Sequence, residues 1–193
     1  MKALLLLLSG LTLMACTPEM NWRVFRDTET HWSASFPGKP VSVSRTIQIE
    51  GGKPAKVELH LWAVNVNEVR YTVGRAQWVD RTNPNTEQTQ ANLAKYLETS
   101  RLNNIAAQSP QKIPAPAGPN EQEGVAREKS FRPALRAVGS IVLNPKEGPI
   151  KAILWLQTYP REHDVLEVIV LGPASAFSEE AAEQFLSSFN PRL

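Results

Sequence analysis

Few residues in this chain can do covalent, acid–base or metal chemistry, and their spacing limits what they can do together. Cys16 is the only cysteine, so the chain can form no internal disulfide and no multi-thiolate metal site. The three histidines, His31, His60 and His163, have no second His, Asp or Glu at metal-site spacing. His60 sits between Glu58 and Trp62 in an alternating run whose Leu59 and Leu61 point the other way. Its face is therefore expected to meet solvent. His163 adjoins Asp164 in a polar turn, where solvation is expected rather than acid–base work. Aspartate occurs only at Asp27, Asp80 and Asp164, and no glutamate pairs by spacing into a hydrolase dyad. Gly-x-Ser-x-Gly, phosphate-loop and His-Glu-x-x-His patterns do not occur. The residues thus imply no catalytic set, no metal and no cofactor.

The chemistry that remains belongs to Cys16. Lys2 precedes an apolar run at residues 3–8, then Ser9-Gly10 and a second apolar stretch at 11–15, the layout of an export signal. An apolar segment this short falls below the roughly 20 residues a spanning helix needs. It ends in Leu13-Met14-Ala15-Cys16. That tetrad resembles the bacterial lipobox, with Met14 standing where a smaller residue is more usual. The resemblance implies a diacylglycerol on the Cys16 sulfur, cleavage between Ala15 and Cys16, and acylation of the new amine in many Gram-negative bacteria. Two or three acyl chains anchor a protein stably, whereas one alone is marginal. A lone cysteine exported to an oxidising compartment also makes sense if modification consumes it. Thr17, where aspartate would favour retention at the inner membrane, points to the periplasmic face of the outer membrane.

Composition bounds the rest. A chain of 193 residues with 42% hydrophobic content builds one core, and 15 prolines foretell many loops and edges. The formal charge of +2 falls to +1 once Lys2 is removed. Near-neutrality excludes the basic stripe of non-specific nucleic-acid binding and the polybasic patch that holds proteins on anionic membranes. The expected organisation is a signal peptide at 1–15, a short lipidated tether at 16–21, and a single α+β domain at 22–193.

Period-2 alternation predicts strands at 22–25 and 32–36, the latter ending at the turn Pro37-Gly38. Further strands are expected at 41–44 and 47–49, at 57–64 across a Gly51-Gly52 hairpin, and at 69–79, all in one antiparallel meander. The period changes at 86–107, where Ala91, Leu93, Ala94, Leu97, Leu102 and Ile105 share one face of a helix expected to cover the sheet. A Pro-rich loop is expected at 109–124, then strands at 124–131, 137–143, 150–158 and 165–171. Ser178 caps a final helix with an apolar stripe of Ala181, Ala182, Phe185, Leu186 and Phe189. Strands, helix, strands, helix is the order of an α+β fold, an antiparallel sheet flanked by helices.

Three fragments carry a family resemblance: Phe36-Pro37-Gly38-Lys39-Pro40, Val168-Ile169-Val170-Leu171-Gly172-Pro173, and residues 182–189 with Phe185 and Phe189. Together they resemble the small exported bacterial proteins with a PsbP-like α/β/α sandwich. The resemblance implies the fold, no active site, and a class whose characterised members bind proteins and assist assembly. The expectation is a membrane-anchored, periplasm-facing lipoprotein that works by contact with an envelope protein. A small-molecule or lipid carrier with an apolar cleft is the alternative, and a hydrolase a weaker one. Two sites suit an interface: Arg75, Gln77, Trp78, Asp80 and Arg81 at a strand end, and the loop at 113–119.

Overall fold

The computed structural model describes residues 20–49, 55–79, 86–114 and 133–192. The signal segment, Cys16, the Gly51-Gly52 turn and the strand expected at 124–131 lie outside the described residues. Among those described, nine strands and two helices form a mixed α+β fold with two antiparallel sheets. No helix among them is long and apolar enough to cross a membrane.

The first two strands, β1 (Arg23–Asp27) and β2 (Trp32–Phe36), form a hairpin of their own and do not join the meander. Pro37 and Pro40 lack the N–H needed to continue a ladder, and between them the chain leaves this hairpin. The meander proper is β3 (Val41–Ile49), β4 (Ala55–Val66) and β5 (Val69–Trp78). Asn67 and Glu68 have φ of 49° and 64°, so the β4–β5 connection is a two-residue turn of the primed type that suits twisted strands.

Thr86 caps α1 (Glu87–Asn104), its Oγ1 accepting from the Thr89 N–H at 3.1 Å. The helix ends in a Schellman motif: the Ala107 N–H donates to Leu102 and the Ala106 N–H to Asn103, with Ala106 at φ 47°. The chain then enters β6 (Gln108–Ile113), where a loop is expected from the sequence. Pro110 argues against a central strand but is tolerated here, because β6 lies at the sheet edge and its register shifts between Gln108 and Gln111. Strands β7 (Ala134–Ile141), β8 (Ile150–Pro160) and β9 (Val165–Pro173) return across the sheet. The seven-stranded order is β3-β4-β5-β9-β8-β7-β6, antiparallel throughout. Ser178 caps α2 (Glu179–Ser187) by accepting from the Ala181 N–H at 3.1 Å.

Both faces of the sheet are covered. On one, Leu93, Ala94 and Leu97 of α1 press on Val57, Leu59, Ala76 and Val165, while Ile105 meets Ala137, Leu154, Leu156 and Ile169. Gly139 permits this approach: a Cβ there would stand 2.1 Å from the Ile105 carbonyl oxygen, which accepts from the Ser140 N–H. On the other face, α2 and the β1–β2 hairpin bury Trp62, Tyr71, Trp155 and Val168 beneath Trp32, Phe36, Phe185 and Phe189. Burying each such large apolar side chain contributes roughly 1.5–3 kcal/mol. Phe185 stacks edge-on against both Phe36 and Tyr71, at 5.1 and 5.5 Å between ring centres.

Trp62 corrects the solvent-facing reading of its row. It is 8% exposed because the hairpin lies over it, with the Trp32 ring centre at 4.9 Å. Alternation assigned the row its own side of β4, but not what covers that side.

Candidate functional site

Of the residues expected at one interface, Arg75 and Trp78 fall on opposite sides of the sheet, being three positions apart on β5. Trp78 packs with the cluster under α1, its indole N–H buried and without a partner among the described residues. Arg75 lies on the hairpin side. Asp80 and Arg81 lie outside the described residues, as do Ala15, Cys16 and residues 115–119 of the Pro-rich loop. Ile113 of that loop belongs to β6 and packs, half-buried, against the hairpin-side core.

Arg75 is one jaw of a clasp. Its Nε donates to Asp164 Oδ2 at 2.7 Å, while Arg161 donates from Nε to Oδ1 and from Nη2 to Oδ2, each at 2.6 Å. Arg161 also reaches the Thr30 and Pro191 carbonyl oxygens through Nη1. One guanidinium thus ties the β8–β9 turn to the β1–β2 hairpin and to the chain end. Burial by itself would raise the Asp164 pKa, but hydrogen bonds and charge from Arg161 and Arg75 outweigh it and hold the carboxyl below its ordinary value. A carboxylate this tightly held fastens structure and is a poor proton acceptor.

Beside the clasp runs a polar row. Ser44, His60 and Arg75 are register partners across β3, β4 and β5. Ser44 Oγ lies 3.0 Å from His60 Nδ1, and the imidazole stacks on Trp62 at 4.1 Å with 13° between the planes. A hydroxyl on an imidazole is the start of a nucleophile–base pair. Here the pair is exposed at the sheet edge, and the Asp164 carboxylate is spent on two arginines. No carboxylate is hydrogen-bonded to His60 among the described residues. Those residues also hold no cluster of three metal-ligating side chains.

The sequence reading missed the Ser44–His60 pair for a geometric reason. The Gly51-Gly52 signal marks a hairpin but does not fix its loop length, and it is the pairing of Ile49 with Ala55 that sets the register. Hairpin register follows loop length, and a shift of one position would put Ser44 opposite the other face. Asp164, read as solvated, is 3% exposed. Its signal was Arg161 three residues earlier, a spacing that can fold back across a turn.

The two sheet edges differ. The β6 edge has six residues, Pro110, Lys112 and a bulge with Ser109 at φ 47°, beside an open polar cleft of about 300 Å³ between Gln108, Ser109, Gln111, Arg136 and Val138. The β3 edge runs nine residues in unbroken register, with Val41 and Val43 exposed at 74% and 52%.

Fold and site define a mixed α+β domain, an antiparallel sheet with one helix on each face and a polar, edge-exposed surface. In comparisons with known proteins, neither a family model nor a curated protein matches the chain.

Proposed function

We propose that this is a lipid-anchored envelope protein, facing the periplasm, that acts by contact with another envelope protein in assembly or maintenance. The observation that carries the reading is Leu13-Met14-Ala15-Cys16 at the end of an export-type segment, with Cys16 the sole cysteine. The outer membrane is the favoured location, on Thr17. The PsbP-like α/β/α likeness belongs to the same proposal, and helices on both faces of an antiparallel sheet are compatible with it. Protein contact is favoured over carriage because the sheet–helix interfaces are filled: Leu93, Leu97, Phe185 and Leu186 are each at most 2% exposed. Co-purification from detergent-solubilised envelopes tests this role. A defined envelope protein should accompany the wild-type chain and be lost with Cys16→Ala, and repeated recovery of no partner would contradict it.

A further inference from the structure

We propose that β3 is a self-pairing edge, through which two copies of this chain join antiparallel into one continuous sheet. The observation behind it is the contrast between the edges. Sheet proteins blunt exposed edges with proline, bulges, lysine or shortness. The β6 edge uses all four, whereas β3 has no proline, bulge or lysine, runs nine residues and carries a single charge, Arg45. Half of the β3 backbone N–H and C=O groups point away from β4, and no strand among the described residues bonds them.

The side chains choose the occupant. A two-fold axis perpendicular to the sheet keeps each face on its own side, so Val41, Val43, Arg45 and Ile47 meet their counterparts on one face. Ser42, Ser44 and Thr46 meet theirs on the other. Arg45 is the only charged residue of β3, so register depends first on where two copies of Arg45 fall. Centring on Arg45 opposes two guanidiniums directly, which is destabilising. Centring on Ser42 sets Arg45 against Lys39, again like charge against like. Centring on Ser44 pairs Val41 with Ile47 and Val43 with the aliphatic stem of Arg45, while Ser44 meets its own copy. Centring on Val43 or on Thr46 also opposes no like charges, but the first pairs only positions 41–45 of the strand and the second leaves Val41 unpaired, whereas centring on Ser44 pairs positions 41–47 and covers both exposed valines.

Cysteine crosslinking of the full chain in its membrane tests both pairing and register. In the Ser44-centred pair the two Ser44 Cα atoms stand about 4.5–5.5 Å apart, within disulfide reach. Ser42 faces Thr46, which leaves the two Ser42 Cα atoms about 13 Å apart along the strands, beyond reach. Under mild oxidant Ser44→Cys should give a disulfide-linked homodimer at least about tenfold more than Ser42→Cys, given that distance limit. The wild-type chain, with Cys16 alone, should give none. Adding Val43→Lys to Ser44→Cys sets a lysine against Arg45 of the other copy and should abolish the product, while half-exposed Val43 leaves the fold intact. Equal products from Ser44→Cys and Ser42→Cys, a Ser44→Cys chain that stays monomeric, or one that crosslinks to a different protein would each overturn the proposal.

Discussion

Gly74 faces Glu167 across the β5–β9 ladder, and its missing side chain is what leaves room for a fully buried carboxylate beneath α1. A Cβ at Gly74 would stand 2.6 Å from both Cγ and Oε1 of Glu167. Arg101 of α1 answers the charge from above, donating through Nε at 3.2 Å to Oε2 and through Nη2 to Oε1. Thr158, the register partner of Glu167 on β8, donates to Glu98 one turn earlier on the helix. The helix is therefore located on the sheet by polar contacts as well as by Leu93 and Leu97.

Removing Arg101 alone should be costly. Arg101→Met leaves Glu167 buried without its counter-ion and should lower unfolding free energy by about 3–5 kcal/mol. Gly74→Ala, which crowds the same carboxylate, should cost about 1–3 kcal/mol. Urea denaturation read by tryptophan fluorescence measures both, and a change below about 0.5 kcal/mol in Arg101→Met, the range of an inert surface substitution, would refute the coupling.

The Asp164 clasp predicts acid sensitivity of definite sign. Its carboxyl is held below the ordinary value in the folded chain, so its contribution is fully present above the unfolded pKa of about 4 and lost as pH falls through the lower folded pKa. Asp164→Asn should destabilise at pH 7 by about 3 kcal/mol, the lower end for a broken buried pair because both arginines are partly exposed. Its stability should also fall less steeply than wild type below pH 4. Parallel acid slopes in the two proteins would contradict the assignment.

Ala106 offers a stabilising change. It holds φ 47° at the Schellman position, where a Cβ is strained and glycine is not. Ala106→Gly should raise stability by about 0.5–1 kcal/mol, the relief of that strain less the entropy glycine loses on folding. Thermal unfolding checks it, and a lower midpoint would show that the alanine is unstrained.

Much of this architecture was legible because local rules and tertiary packing agree. Ser178 and the stripe from Ala181 to Phe189 mark α2 by capping and period alone, and every residue of that stripe joins the core that holds Phe36 and Tyr71. Where packing overrode local grammar, the sequence misled. Pro110 disguised β6, which exists because an edge strand can spare an N–H. The alternation of β2 could not show that its hairpin would leave the meander and cover Trp62. The site was less legible than the fold, since its contacts are long-range: Arg75 reaches Asp164 and Arg101 reaches Glu167 across 89 and 66 residues of chain. Nothing in the spacing of these residues announces either pair.

The most direct test of the lipid anchor is the intact mass of the protein extracted from membranes, wild type beside Cys16→Ala. The wild-type mass should lack residues 1–15 and carry added acyl chains, while Cys16→Ala should stay uncleaved or leave the membrane. An unmodified Cys16, or a mature protein recovered free of the membrane, would contradict the anchor and with it the proposed role at the envelope.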